Sequence, residues 1–105
     1  MKTTILVHDI AQDTAVVGRF LGGELRKAVT QAIESNGSVI VDFTGIEMIT
    51  QSSADEFVGR IVRENPQVID GVQFIHCSPE VKSMIQWAAE NADSVLTRQR
   101  AFEPA

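Results

Sequence analysis

Thr50-Gln51-Ser52-Ser53-Ala54-Asp55-Glu56 joins a buried strand to a helix, and its reading decides the fold. Upstream, Val39-Ile40-Val41-Asp42-Phe43 is a short β-branched run closed by Thr44-Gly45. Its near-continuous apolar character suits a central strand covered on both faces. Downstream, Ala54, Phe57, Val58, Ile61 and Val62 recur at helical spacing until Asn65-Pro66 stops them. At about 100° per residue, Ser52, Glu56, Gly59, Arg60 and Arg63 fall on the opposite, solvent-facing side. Ser53 followed three residues later by Glu56 reads as a capping box, so Ser53 is the expected N-cap. Hydroxyls at the positive end of a helix also read as a place that accepts a phosphate.

Outward from this junction, Thr3 to Val7 reads as a first strand closed by His8-Asp9. Residues 10–23 give a mixed signal, because Gly18, Gly22 and Gly23 weaken a continuous helix. A helix is convincing from Glu24, with a start reaching back to Gly18-Arg19 and a stop at Asn36-Gly37. Gly22-Gly23 reads as a close approach of this helix to the sheet. After Pro66, residues 67–71 read as a loop and Val72-Gln73-Phe74-Ile75 as another strand. Ser78-Pro79 is a strong helix start, with serine as N-cap and proline at the first position. Val81, Met84, Ile85 and Ala88 form its apolar stripe, and Trp87, off that stripe, is expected to cover the core's edge. Asn91-Ala92-Asp93 reads as its end, Ser94 to Thr97 as a last strand, and 98–105 as a frayed tail. Strands alternating with helices imply one small α/β domain over 1–105: about four mostly parallel strands and three or more helices, with 1–18 a first strand and loop.

Composition narrows the function classes. A chain of 105 residues can bury one core without staples. Its net charge of −5 disfavours a nucleic-acid backbone as partner. A single cysteine, Cys77, makes no internal disulfide, and the start of the chain reads as neither signal peptide nor membrane span. The expectation is a cytoplasmic chain bound to no membrane. His8, His76 and Cys77 are the only soft metal-ligand candidates, and adjacent strand residues point to opposite faces, so no metal site is expected. Cys77, between a strand and a helix cap, stands where a thiol pKa can be lowered, yet it reads better as a buried filler. No G-x-S-x-G elbow accompanies Ser52 and no phosphate-cradling glycine loop is present. Neither a catalytic residue nor a cofactor is therefore expected.

The order of these motifs resembles the STAS domain (sulphate transporter and anti-sigma factor antagonist), in particular its bacterial STAS-like branch. Val39 through Ser53 is similar to that family's strand, loop and Asp-Ser-Ser/Thr-Gly turn, and Cys77-Ser78-Pro79-Glu80-Val81-Lys82 to its Ser-Pro-x-Val-Lys helix start. The likeness spans about residues 19–97. Gln51 replaces the family's aspartate and Ala54 its glycine. The resemblance implies a non-enzymatic, protein-binding signalling module of a partner-switching pathway. Its partner would be a serine-kinase-type ATPase or an anti-sigma factor, and Ser52, by position, the phosphorylated serine. Gln51, Ser53, Asp55, Glu56, Arg60 and Arg63 are the expected partner contacts. A phosphate would add about −1.5 to −2 charge beside two carboxylates, so it is expected to act by repelling the partner. The alternative is a phosphorylation-independent adaptor or oligomerisation domain on the same fold, with Asp55 and Glu56 contacting a basic partner.

Overall fold

A computed structural model describes the backbone of residues 3–102 and the side chains of residues 3–92. Three parallel strands form the main sheet: β1 (Thr3–Leu6), β3 (Val39–Asp42) and β5 (Val72–Ile75), in the order β1-β3-β5. Thr3 pairs with Val39 and Val39 with Val72, so equivalent positions of all three strands lie in rows across the sheet. Between them run α1 (Val7–Ala11), β2 (Ala15–Val16), α2 (Gly18–Asn36) and β4 (Met48–Ile49). Next come α3 (51–64), α4 (Pro66–Ile69) and, after β5, α5 (Pro79–Phe102). Strands β2 and β4 form a second, two-stranded parallel sheet, Ala15 opposite Met48 and Val16 opposite Ile49.

β3 is central, as its sequence implies, but only one of its faces is packed closed. Val39, Val41 and Phe43 are buried, whereas Ile40 and Asp42 between them are half-covered. The row of Ile40 holds exposed Thr4 and Gln73 beside it, and the row two residues on, facing the same way, holds Leu6, 45% exposed, beside Asp42. The helices therefore lie mainly on the other face. There Leu25 and Val29 of α2, Phe57 and Ile61 of α3 and Val81 and Ile85 of α5 meet Val41 and Phe43 in one core. Phe74 ties the layers together, its ring centroid 6.3 Å from that of Phe43 and 6.1 Å from that of Phe57, the latter edge-on.

Three local expectations change. The first strand stops at Leu6, and Val7 to Ala11 forms a helical turn ended by Gln12 in the left-handed region (φ 54°). α2 keeps both expected ends, starting at Gly18 and stopping before Gly37, which has φ 77°. Pro66 to Ile69 is a short helix with proline in its first turn rather than a loop. α5 continues through Phe102, so residues 94–97 form no strand and 98–102 are helical. The expected stop at Asn91-Ala92-Asp93 contains neither glycine nor proline, and Ala92 is fully buried, continuing the stripe of Val81, Ile85 and Ala88 by another turn. Among the described residues, no helix is long and apolar enough to cross a membrane.

Candidate functional site

Thr50 builds the junction. Its backbone N–H donates to the Val16 carbonyl at 2.9 Å, continuing the β2–β4 pairing by one residue. Its side-chain oxygen then accepts from two helix starts at once, the N–H of Gly18 at 3.2 Å and the N–H of Ser53 at 3.3 Å. Thr50, not Ser53, is therefore the N-cap of α3. One hydroxyl satisfies orphan donors at the start of both α2 and α3, fixing the two helices against each other. The expected capping box at Ser53 is not formed. Ser53 is fully buried, its hydroxyl has no hydrogen-bond partner among the described residues, and so it is no surface contact either. The signal for Thr50 was present in sequence as a hydroxyl residue directly before the helical run. Ser53 outcompeted it because Glu56 completes a familiar spacing.

α2 meets α3 at Gly22. A side-chain carbon at Gly22 would collide with the Ser53 carbonyl oxygen and stand 3.1 Å from Glu56 Cβ. The close approach inferred from the glycine pair is thus real, but it is toward α3 and not toward the sheet. It uses Gly22 alone, since a carbon at Gly23 would touch only an Arg26 nitrogen at 3.8 Å. α3 is itself irregular, with Asp55–Gly59 forming a π-helical turn between the α-helical pieces Gln51–Ala54 and Arg60–Glu64.

Because α2 lies against it, the strip expected to face solvent is largely covered and ion-paired. Gly59 is buried. The Glu56 side chain is 16% exposed and meets Arg60 at 2.6 Å, Arg19 at 3.4 Å and Arg26 at 3.6 Å, while Arg26 also donates to the Glu56 carbonyl. Asp55 meets Arg63 at 2.8 Å and Arg19 at 3.4 Å. The Arg63 bridge spans eight positions, not the usual four, and crosses directly over Gly59. A carbon there would lie 2.8 Å from the Asp55 carboxylate and 3.3 Å from the Arg63 guanidinium. The Arg63 hydrogen bond holds Asp55 below the usual carboxylate range against the opposing effect of burial. Burial pushes Glu56 up, and the bond and charge of Arg60 with the charge of Arg26 more than offset it, leaving a net lowering. Arg60, bridging Glu56 and Glu64, is raised by the hydrogen bond to Glu56 first.

The charge picture around Ser52 is thereby corrected. Asp55 and Glu56 are not bare negative charges, since Arg19, Arg26, Arg60 and Arg63 together outnumber Asp55, Glu56 and Glu64. Arg19 and Arg26 escaped the sequence reading although a signal existed. They flank the Gly22-Gly23 pair seven residues apart, on one face of a helix.

Ser52 is half-buried, its hydroxyl 3.4 Å from that of Thr50. It lines an open polar groove of about 580 Å3 with Arg19, Thr50, Gln51, Asp55, Trp87 and Asn91. Gln51 and Trp87 are shared with an adjoining apolar groove of about 630 Å3 completed by Pro79, Glu80, Ser83 and Met84. Trp87, 38% exposed, thus walls both grooves instead of sealing the core's edge. Gln51, Ser52 and Asp55 come together here, whereas Glu56, Arg60 and Arg63 are not among the groove's residues.

A second polar cluster closes the sheet's far row. His76, in the left-handed region at φ 56°, brings its ring Nδ1 within 2.9 Å of Asp42 Oδ1 and 3.1 Å of the Thr44 hydroxyl. Asp42 also accepts from the Thr44 hydroxyl at 2.6 Å and the Thr44 N–H at 2.9 Å, and these bonds with that of His76 lower its pKa to about 2. Burial pushes the Cys77 thiol up, so its position between strand and helix does not activate it. Ser78 caps α5 as expected, accepting from the Val81 N–H at 3.1 Å while donating to the Glu47 carbonyl at 3.0 Å.

Comparison with curated proteins and with solved structures yields no match. A family model described as "STAS-like domain of unknown function (DUF4325)" matches residues 22–82, from the Gly22 contact through the start of α5. With more than half of its 105 residues matched, and with parallel strands and helices in the expected order, the chain belongs to this family of STAS-like domains.

Proposed function

We propose that this STAS-like domain is a regulatory protein-binding module of a partner-switching pathway, with no catalytic role of its own. The groove at the start of α3 is its binding surface, and a phosphate on Ser52 is its switch. One observation carries this reading: of the two adjacent serines, Ser52 lines an open groove while Ser53 is fully buried. Ser52 is thus the hydroxyl that a kinase can reach, at the position the family resemblance singles out. The partner is a serine-kinase-type ATPase or an anti-sigma factor, contacting exposed Gln51 and Trp87 and the guanidinium of Arg19. The adaptor reading, with Asp55 and Glu56 held out to a basic partner, has less support because both carboxylates already hold arginines of this chain.

Capture of partners from host lysate tests the proposal, with wild type, Ser52→Ala, Ser52→Glu and Asp55→Ala/Glu56→Ala as baits. The switch reading predicts that wild type and Ser52→Ala retain one ATP-binding kinase-like protein that Ser52→Glu loses. Equal capture by wild type and Ser52→Glu would remove the switch. Loss confined to Asp55→Ala/Glu56→Ala, in a bait with an unchanged melting temperature, would support the adaptor.

A further inference from the structure

Resting on the reading of Ser52 as a phosphorylated residue, we propose that the phosphate is first read inside the domain, by Arg19, which leaves Asp55 and Glu56 to bind it. Arg19 and Ser52 line the same groove from different helices, α2 and α3. The Arg19 side chain is 64% exposed and holds its two carboxylates only at 3.4 Å. Neither carboxylate depends on it: Asp55 keeps Arg63 at 2.8 Å, and Glu56 keeps Arg60 at 2.6 Å with Arg26 behind it. Arg19 is the spare cation of the network, and its transfer strands no charge. A phosphate gives it a doubly charged acceptor with three oxygens, a better match for a guanidinium fork than two distant shared carboxylates.

The chemistry balances without any group from this chain beyond the serine. Ser52 Oγ attacks the γ-phosphorus of a nucleoside triphosphate held by the partner kinase. The new Oγ–P bond replaces the bond to the nucleoside diphosphate, and the hydroxyl proton passes to a base on the kinase. Capture by Arg19 then draws the two walls of the groove together and withdraws the exposed Arg19 guanidinium from the groove's surface. A partner therefore meets a narrowed surface as well as an added charge. This differs from simple repulsion, because the signal passes through a residue that is not modified.

The test uses the full chain with phosphoserine incorporated genetically at position 52, titrated by phosphorus NMR beside the same protein carrying Arg19→Gln. Arg19 is exposed, so the substitution is compatible with folding, and matching thermal melts verify it. The expected result is a second phosphate pKa lowered by about half a unit or more in the Arg19 protein and restored in Arg19→Gln. Identical titrations in the two proteins overturn the proposal. Partner capture with the same two phosphoproteins and unmodified chain separates the claims. An Arg19-dependent titration with unchanged capture leaves the internal contact standing and sinks the partner switch. Phosphate-dependent capture with an Arg19-independent titration does the reverse.

Discussion

Replacing Gly22 by alanine probes the contact that sets the groove's geometry, and Gly23→Ala is its internal control. Both residues are buried inside α2, and neither has positive φ. Alanine in place of glycine in a helix interior is worth about 1 kcal/mol at either site. At Gly23 the added carbon meets only the end of Arg26 at 3.8 Å, so a stabilisation of about 0.5–1 kcal/mol is expected. At Gly22 the same carbon collides with the Ser53 carbonyl, a backbone atom in the first turn of a helix capped by Thr50. Such overpacking costs about 1–3 kcal/mol, and the rigid obstacle places Gly22 toward the upper end. The net loss expected at Gly22 is then about 1–2 kcal/mol, and the two variants differ by roughly 2–3 kcal/mol. At about 4–8 °C per kcal/mol, their melting temperatures should differ by on the order of 10 °C or more, wild type lying between them. Thermal melts by circular dichroism with urea titrations measure this. Equal shifts of the same sign in the two variants would refute the packing of α2 on α3 and the groove derived from it.

Other substitutions address single features. Thr50→Ala should cost about 1–2 kcal/mol, since one hydroxyl caps two helices, and Thr50→Ser should recover most of it in a denaturant titration. Ser53→Ala should cost nothing measurable, because the lost hydroxyl has no partner among the described residues; a loss as large as that at Thr50 would return the cap to Ser53. Asp42, depressed to about 2 from 3.8 by its bonds to Thr44 and His76, contributes stability that is complete above pH 4 and lost as pH falls toward 2. Asp42→Asn should remove about 1–2 kcal/mol at neutral pH and flatten that acid limb; an unchanged limb would deny Asp42 its part in it. Cys77, raised by burial, should react with iodoacetamide at neutral pH more slowly than a free thiol, and a faster reaction would reopen a nucleophilic role.

What the sequence made legible were features repeated over a full turn or strand. The stripe of Ala54, Phe57, Val58, Ile61 and Val62 is buried as its spacing implies, and Val39 to Asp42 and Val72 to Ile75 pair as adjacent parallel strands. β2 and β4 were not legible, because two residues carry no periodicity and their pairing depends on the Thr50 junction. Glycine propensity weakened the signal over Gly18 to Gly23, yet α2 starts at Gly18 as the sequence allowed, because Gly22 is required for contact with α3. Of the residues that line the groove, Gln51, Ser52 and Asp55 are singled out by the sequence as candidates, while Arg19 and Thr50 are not. Their roles arise from residues more than thirty positions away along the chain. The solvent-facing assignment of Glu56 failed for a related reason, since a helical projection cannot show that a second helix lies on that side, and that of Gly59 failed because the Asp55–Arg63 bridge of its own helix crosses over it.

The most direct measurement is phosphopeptide mapping of the chain after incubation with host lysate and ATP, in wild type, Ser52→Ala and Ser53→Ala. The account predicts phosphate on Ser52 in wild type and in Ser53→Ala, and none on the junction peptide of Ser52→Ala. Phosphate on Ser53, or an unmodified Ser52 in lysate whose kinase-like partner the chain still captures, would contradict it.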